Sequence, residues 1–254
     1  MKTKKTCIIT AAGGNATAIE IIDQAYSREG YAAKGREMIE KNQDKAVEQA
    51  GFLVASDKHF EMSGGEFCGN AARAAALVLS YLSGSAEVEF TMSGFTGKVL
   101  AVVRNLEPGK YYVDCSFPGM QTPMESLRWP DPSAIVDLGG IVHVVIEADF
   151  PKNYVAEHQR ITDLLGLSDR EAVGVVWLNR DEAGTIARID PVVRVNGGVD
   201  SFFYESSCGS GSIAAARFSG IKIIEQPSGG IIKVEIGKDS VTLQSEMEVI
   251  DGDF

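Results

Sequence analysis

The chain has 254 residues, enough for one large domain or two small ones with a real buried core. Apolar residues make up 44% and charged residues 23%, close to an ordinary soluble globular protein, which excludes a disordered chain. Twenty-four Lys and Arg against thirty-five Asp and Glu give a formal charge of −11, which argues against nucleic acid or an anionic membrane surface as partner.

No apolar run approaches the ~20 residues that a membrane span needs. The basic start Met1-Lys2-Thr3-Lys4-Lys5 leads into a strand-like Cys7-Ile8-Ile9 that is too short for a signal-peptide core, so a cytoplasmic location is expected. The four cysteines, Cys7, Cys68, Cys115 and Cys208, are scattered singly, which fits neither a disulfide framework nor CxxC metal spacing. Free thiols are expected. His59, His143 and His158 lie far apart in sequence and supply little for a histidine-based metal site, so no metal is expected.

Short runs rich in β-branched residues, bounded by Gly, Ser, Asn or Pro, read as strands. In chain order these are Ile8 to Thr10 and Ala18 to Ile22, then a helix-forming stretch Ser27 to Gln49 and an Ala- and Leu-rich helix Ala71 to Leu82. Strands Val88 to Met92, Lys98 to Val103 and Tyr111 to Ser116 follow. Beyond Met120 to Asp137, strands Val142 to Glu147 and Val173 to Leu178 flank an amphipathic helix Val155 to Leu165. A short helix Ile213 to Ser219 precedes strands Ile221 to Glu225, Ile231 to Ile236 and Val241 to Gln244. The chain is therefore expected to be α+β and dominated by sheet.

Four of the eight prolines, Pro118, Pro123, Pro130 and Pro132, fall in or beside the stretch Met120 to Asp137, which lacks periodicity. It reads as a linker over residues 123–136 between halves 1–122 and 137–254, with a last strand Gln244 to Ile250 that can cross back to the first half. Each half carries the same pattern. Phe67-Cys68-Gly69-Asn70-Ala71-Ala72 in the first and Ser207-Cys208-Gly209-Ser210-Gly211-Ser212 in the second both open an Ala-rich helix, followed by a strand, a Gly turn and another strand. The halves read as pseudo-duplicates.

Cys68 and Cys208 are thus placed at helix N-termini, where the first N–H groups lack intrahelical partners and the macrodipole favours an anion. That setting is expected to lower a thiol pKa from about 8.5 toward 7. Gly69, Gly209 and Gly211 remove side chains where a ligand could approach the backbone, and the same N–H groups could hold a carboxylate. Cys7 and Cys115 sit inside apolar strands and read as small buried hydrophobes. Two symmetry-related thiols suit proton transfer at a carbon approached from opposite faces: one thiolate removes the α-proton and the opposite thiol returns one, inverting configuration. The helix N-termini would stabilise the developing enediolate, and no cofactor is then required.

These residues resemble the cofactor-independent, two-cysteine racemases and epimerases of the diaminopimelate epimerase and proline racemase superfamily, over nearly the whole chain. Cys68-Gly69-Asn70 is similar to the family's first catalytic motif and Cys208-Gly209-Ser210-Gly211 to its second. Gly14-Asn15 and Gln49 sit where the family places substrate-contacting residues, and Gln226-Pro227-Ser228-Gly229-Gly230 resembles a family turn. The resemblance implies two pseudo-symmetric α+β domains, each a sheet curled around a central helix, with the active site in the cleft between them and an amino acid as its small-molecule substrate.

The pattern departs from diaminopimelate epimerases. Ahead of the second motif, Asp200-Ser201-Phe202-Phe203-Tyr204-Glu205-Ser206-Ser207 has no arginine to bind a distal carboxylate, and Ile141 and Ala172 align with asparagines. The expected pocket instead gathers Glu48, Glu66 and Glu205, which favour a hydrogen-bond-donating or cationic side chain. The motif surroundings resemble cofactor-independent histidine racemases, which makes histidine the leading substrate, ahead of another basic amino acid, diaminopimelate or proline. A proline-type enzyme would carry histidine where this chain has Asn70. A polycarboxylate isomerase would need basic residues in the cleft, and the candidates Arg73 and Arg217 read as structural. A cysteine hydrolase with His143 as base leaves one cysteine unexplained, and an amino-acid binding protein needs neither thiol. The run Phe202-Phe203-Tyr204 fits a homodimer contact as well as a core.

Overall fold

The computed structural model describes residues 6–128, 132–196 and 201–252. The basic start at 1–5, the middle of the proline-bearing stretch at 129–131, and Asp200 ahead of the second cysteine lie outside the described residues.

The elements of the first half are β1 (Thr6–Ala11), β2 (Gly14–Ile22), α1 (Arg28–Lys41), β3 (Val47–Val54), β4 (His59–Met62), α2 (Gly69–Ser83), β5 (Glu87–Met92), β6 (Phe95–Glu107) and β7 (Lys110–Pro118). They are followed by β8 (Met124–Leu127), β9 (Ser133–Asp137), β10 (Val142–Glu147), α3 (Tyr154–Leu164), β11 (Ala172–Arg180) and β12 (Ile186–Val195). The chain closes with β13 (Ser201–Tyr204), α4 (Gly209–Ser219), β14 (Ile223–Glu225), β15 (Ile231–Ile236) and β16 (Ser240–Asp251).

β1 to β7 follow one another around a ring that β16 closes by pairing with both β7 and β1. The result is a closed barrel with α2 running through it, in contact with each of its strands. The interior of a barrel of about eight strands is narrow, so a helix fits there only with small side chains. This explains why the buried helix is so rich in alanine: Ala71, Ala72, Ala74, Ala75 and Ala76 are all fully enclosed. On its other edge β16 pairs with β15, and the sheet continues through β14, β12, β11, β10, β9 and β8, with β13 added beside β12. This second part curls around α4, which touches β9 to β12 and β14 to β16. α3 lies outside it, burying Ile161 against Val144, Val175 and Trp177.

Two expectations change. The stretch Ser27 to Gln49 is not one helix: Ser27 caps α1 by accepting from Gly30 N, and the helix stops at Lys41. Asn42 then folds back onto Met38 O, Ala46 adopts a left-handed φ of 50°, and Val47 enters β3, which pairs parallel with β2. Helix propensity of Glu48 and Gln49 is overridden by a sheet partner contributed from far earlier in the chain. The proline-bearing stretch holds the antiparallel pair β8 and β9, whose strands are short and carry no clean alternation. The last strand, β16, pairs with both β7 and β1. No helix among the described residues is long and apolar enough to cross a membrane.

Candidate active site

Cys68 and Cys208 occupy the same structural position in their halves. Each is the N-cap of a helix in extended backbone, with φ, ψ of −129°, 111° and −136°, 108°. Each sulfur accepts from the backbone N–H three residues on, Ala71 at 3.4 Å and Gly211 at 3.3 Å. The two helix starts abut. A Cβ built on Gly69 would meet Leu243 at 2.5 Å and the Gly209 backbone at 3.2 Å, and one on Gly209 would meet Asn70 N and Gly69 C at 3.0 Å. These glycines thus allow helix to meet helix, a closer constraint than the ligand approach expected of them.

Both cysteines line one cavity. Its polar lining includes Glu48 and Gln49 from β3, Glu66, Asn70, Glu205 and Ser210. Its apolar lining includes Ile39, Met62, Ile141, Val193, Val195 and Phe203. No lysine or arginine lines the cavity among the described residues, nor do three His, Cys, Asp or Glu side chains gather there to hold a metal ion. Arg217 lies away from it and donates to Thr122 O. Ala172 and Gly69 are not among the lining residues, whereas Gly209 is.

Gln49 bridges the two motifs. Its Oε1 accepts from Cys68 Sγ at 3.1 Å and from Thr17 Oγ1 at 3.3 Å, and its Nε2 donates to Glu205 Oε1 at 3.3 Å. Glu205 stands three residues before Cys208, and its carboxylate raises the Cys208 thiol. One oxygen of Glu48 and one of Glu66 are buried without a hydrogen-bond partner. Burial pushes Glu48 up to about 7. It also raises Glu66, and it pushes Glu205 up to about 8 with help from the neighbouring Glu48 charge. Carboxyl groups buried together in one pocket resist ionising, so the pocket holds protons.

The thiols depart from expectation in the same sense. Burial pushes Cys68 up to about 12, and Cys208 is raised well above its ordinary value by burial and then by the Glu205 carboxylate. The N–H groups of each helix start do pull downward, but desolvation is the larger effect in the closed cavity.

Behind the cavity, the backbone ahead of Cys208 is held on every side. Asn15 Nδ2 and Asn70 Nδ2 both donate to Ser207 O, at 2.9 and 2.8 Å. Asn15 is itself buried in a left-handed conformation and does not line the cavity. Cys208 N donates to Gln226 Oε1 at 2.8 Å, and Ser212 Oγ donates to Cys208 O at 2.6 Å. His143, fully buried on β10, meets Ser210 Oγ at 2.9 Å, and that hydroxyl lies 3.6 Å from Cys208 Sγ. Burial lowers His143 to about 3, so the imidazole is neutral. Sequence reasoning misses Ser207, Ser212 and the apolar lining. Gln226 is visible to it only as the head of a familiar turn.

The family model described as the histidine racemase CntK N-terminal domain matches residues 12–249, a span that includes both cysteine motifs. The chain belongs to the histidine racemase family. A histidine racemase from Fusobacterium nucleatum subsp. nucleatum ATCC 25586 is 31% identical over 84% of this chain and 83% of its own length. One from strain ATCC 23726 is 26% identical with the same coverage. In fold, the chain is similar to a predicted epimerase from Pseudomonas aeruginosa, with a TM-score of 0.67, 14% identity and coverage of 99% and 98% of the two chains. It is similar also to a phenazine-biosynthesis PhzC/PhzF protein from Clostridium difficile, with a TM-score of 0.60, 16% identity and coverage of 99% of both. The histidine racemase family is one of isomerases, and this chain is a racemase.

Proposed function

We propose that this racemase inverts the α-carbon of histidine, without a cofactor, between the thiols of Cys68 and Cys208. The observation that carries the reading is the equivalence of the two cysteines: each caps its own helix, and both open on one cavity. One sulfur, as thiolate, takes the α-proton; the other, as thiol, delivers a proton to the opposite face, and the roles exchange for the reverse direction. Backbone N–H groups at Asn70, Gly209 and Ser210, which line the cavity, are assigned to the substrate carboxylate, where the charge of the enediolate develops. Glu48, Glu66 and Glu205 are assigned to the amino and imidazole groups, both hydrogen-bond donors. The apolar lining with Ile141 leaves a distal carboxylate without a partner, which supports histidine over diaminopimelate.

We further read the sheet around α2 and the sheet around α4 as two pseudo-symmetric domains with the site between them, in a cytoplasmic enzyme. The decisive experiment is L-histidine in D₂O with no added cofactor. Deuterium should enter Cα while optical rotation is lost, and Cys68→Ser and Cys208→Ser should each abolish racemisation. Turnover retained in either variant overturns the two-thiol assignment.

A further inference from the structure

Arg73 is a fully buried side chain inside the barrel, one turn beyond Cys68 on α2. Side chains of a helix lean toward its N-terminus. This one reaches back along α2 to donate from Nη2 to Asn70 Oδ1. Its Nε and Nη1 have no hydrogen-bond partner, and no carboxylate pairs with it among the described residues. A buried cation without an anion is costly, so something in its surroundings must answer the charge. The titratable groups on which its charge acts are Cys115 on β7 most strongly, then Cys68 at the head of its own helix, Cys208 at the head of α4, and Tyr112 on β7.

The contact also settles how Asn70 is oriented. Guanidinium groups only donate, so the amide must turn its oxygen to Arg73, which aims Nδ2 at Ser207 O, 2.8 Å away. That amide oxygen would lie 3.0 Å from a Cβ on Gly209, so the pair is wedged against the start of α4. A chain of hydrogen bonds therefore runs from a buried charge on the first cysteine helix to the residue before the second cysteine.

We propose that Arg73 is a positioning residue of the racemase: through Asn70 it fixes Ser207 and the Cys208 thiol, and its unanswered charge favours a sulfur pair one proton short over two neutral thiols. The proposal rests on the two-thiol reading above. The Arg73 charge acts on both sulfurs, so either can carry the thiolate, as a two-base cycle requires.

The test is the pH dependence of iodoacetamide alkylation at Cys68 and Cys208, read peptide by peptide so that Cys115 is counted apart. In Arg73→Met the midpoint for both active cysteines should move up by about one pH unit or more. kcat at neutral pH should fall about 100-fold, with KM for histidine within about threefold of wild type. Arg73→Lys should restore the midpoint but not the full kcat, because an ammonium lacks the fork that orients Asn70. An unchanged midpoint in folded Arg73→Met overturns the proposal and leaves a packing role. Should that variant not fold, Asn70→Asp gives the guanidinium a carboxylate of its own, and the midpoint should again rise. An unchanged midpoint there is equally fatal. Alkylation does not depend on turnover, so failure of the two-thiol reading is seen separately, in active Cys68→Ser or Cys208→Ser.

Discussion

Gln49 donates from Nε2 to Glu205 Oε1 at 3.3 Å while its Oε1 accepts the Cys68 thiol at 3.1 Å, so one amide joins the first cysteine to the carboxyl group three residues before the second. The barrel contributes Gln49 and the loop before α4 contributes Glu205. Substitution of the bridge should therefore disturb both sulfurs together. Gln49→Ala removes three hydrogen bonds to buried groups, to Cys68, Thr17 and Glu205, each worth about 1–3 kcal/mol when one partner is orphaned. We expect kcat/KM for histidine to fall about 10- to 100-fold, and the pH profiles of iodoacetamide alkylation at Cys68 and Cys208 to shift together. A shift at Cys68 alone would mean that Gln49 serves that sulfur only.

The stored protons make stability depend on pH in an unusual sense. Glu48 and Glu205 have folded pKa values of about 7 and about 8, above the ordinary 4.5, so the folded state binds more protons than the unfolded chain between those values. Stability contributed by these groups is present at low pH and is lost as pH rises through 7 to 8. His143 and His158 act oppositely: lowered to about 3 and about 4, they make stability rise with pH up to about 6.5. Only above 6.5 do the carboxyl groups act alone. Thermal unfolding of the ligand-free protein should show Tm falling from pH 6.5 to 8, and Glu48→Gln or Glu205→Gln should flatten that slope. A rising Tm across this window would contradict the burial of these groups.

The helix contact beneath the site predicts a sharp intolerance. A Cβ on Gly209 must sit 3.0 Å from Asn70 N and from Gly69 C, which are backbone atoms that cannot swing aside. Gly209→Ala should separate the two helix starts, cost about 1–3 kcal/mol in denaturant unfolding, and remove most racemisation. Gly220→Ala is the useful contrast. That residue ends α4 at φ 76° with open space around it, so the added methyl strains the turn alone and activity per folded molecule should survive.

The parts of this architecture that sequence makes legible are those with local signals. Val142 to Glu147 and Ile231 to Ile236 stand out as β-branched runs and are strands with those bounds, and the alanine run after Cys68 is the helix it suggests. The repeated Cys-Gly motif likewise places both thiols at helix starts on residue pattern alone. What stays hidden depends on contacts between distant segments. Nothing around Glu48 announces a strand, because its reason for being one is the neighbouring β2. Nothing near Asn15 announces that it will hold Ser207, since the bond spans almost the whole chain. The thiol pKa escapes a local reading for a related reason: the helix start is visible in the motif, whereas the desolvation that outweighs it comes from walls supplied by both halves.

Gln226 offers the clearest test of whether the second thiol depends on a fixed backbone. It is buried, accepts from Cys208 N at 2.8 Å, and donates to Ser212 Oγ, which itself closes on Cys208 O. It touches neither the cavity nor the first cysteine. Gln226→Leu keeps the volume but orphans the Cys208 N–H, so the N-cap geometry that points the sulfur into the cavity loses its anchor. We expect kcat to fall about 10- to 100-fold with KM for histidine little changed, since displacing one reacting group by a fraction of an ångström weakens chemistry more than binding. Gln226→Glu retains an acceptor for Cys208 N and should recover much of the rate. Equal activity in Gln226→Leu and wild type would show that Cys208 is placed by its helix alone, and would remove the loop bracing from any account of how the two sulfurs are aligned.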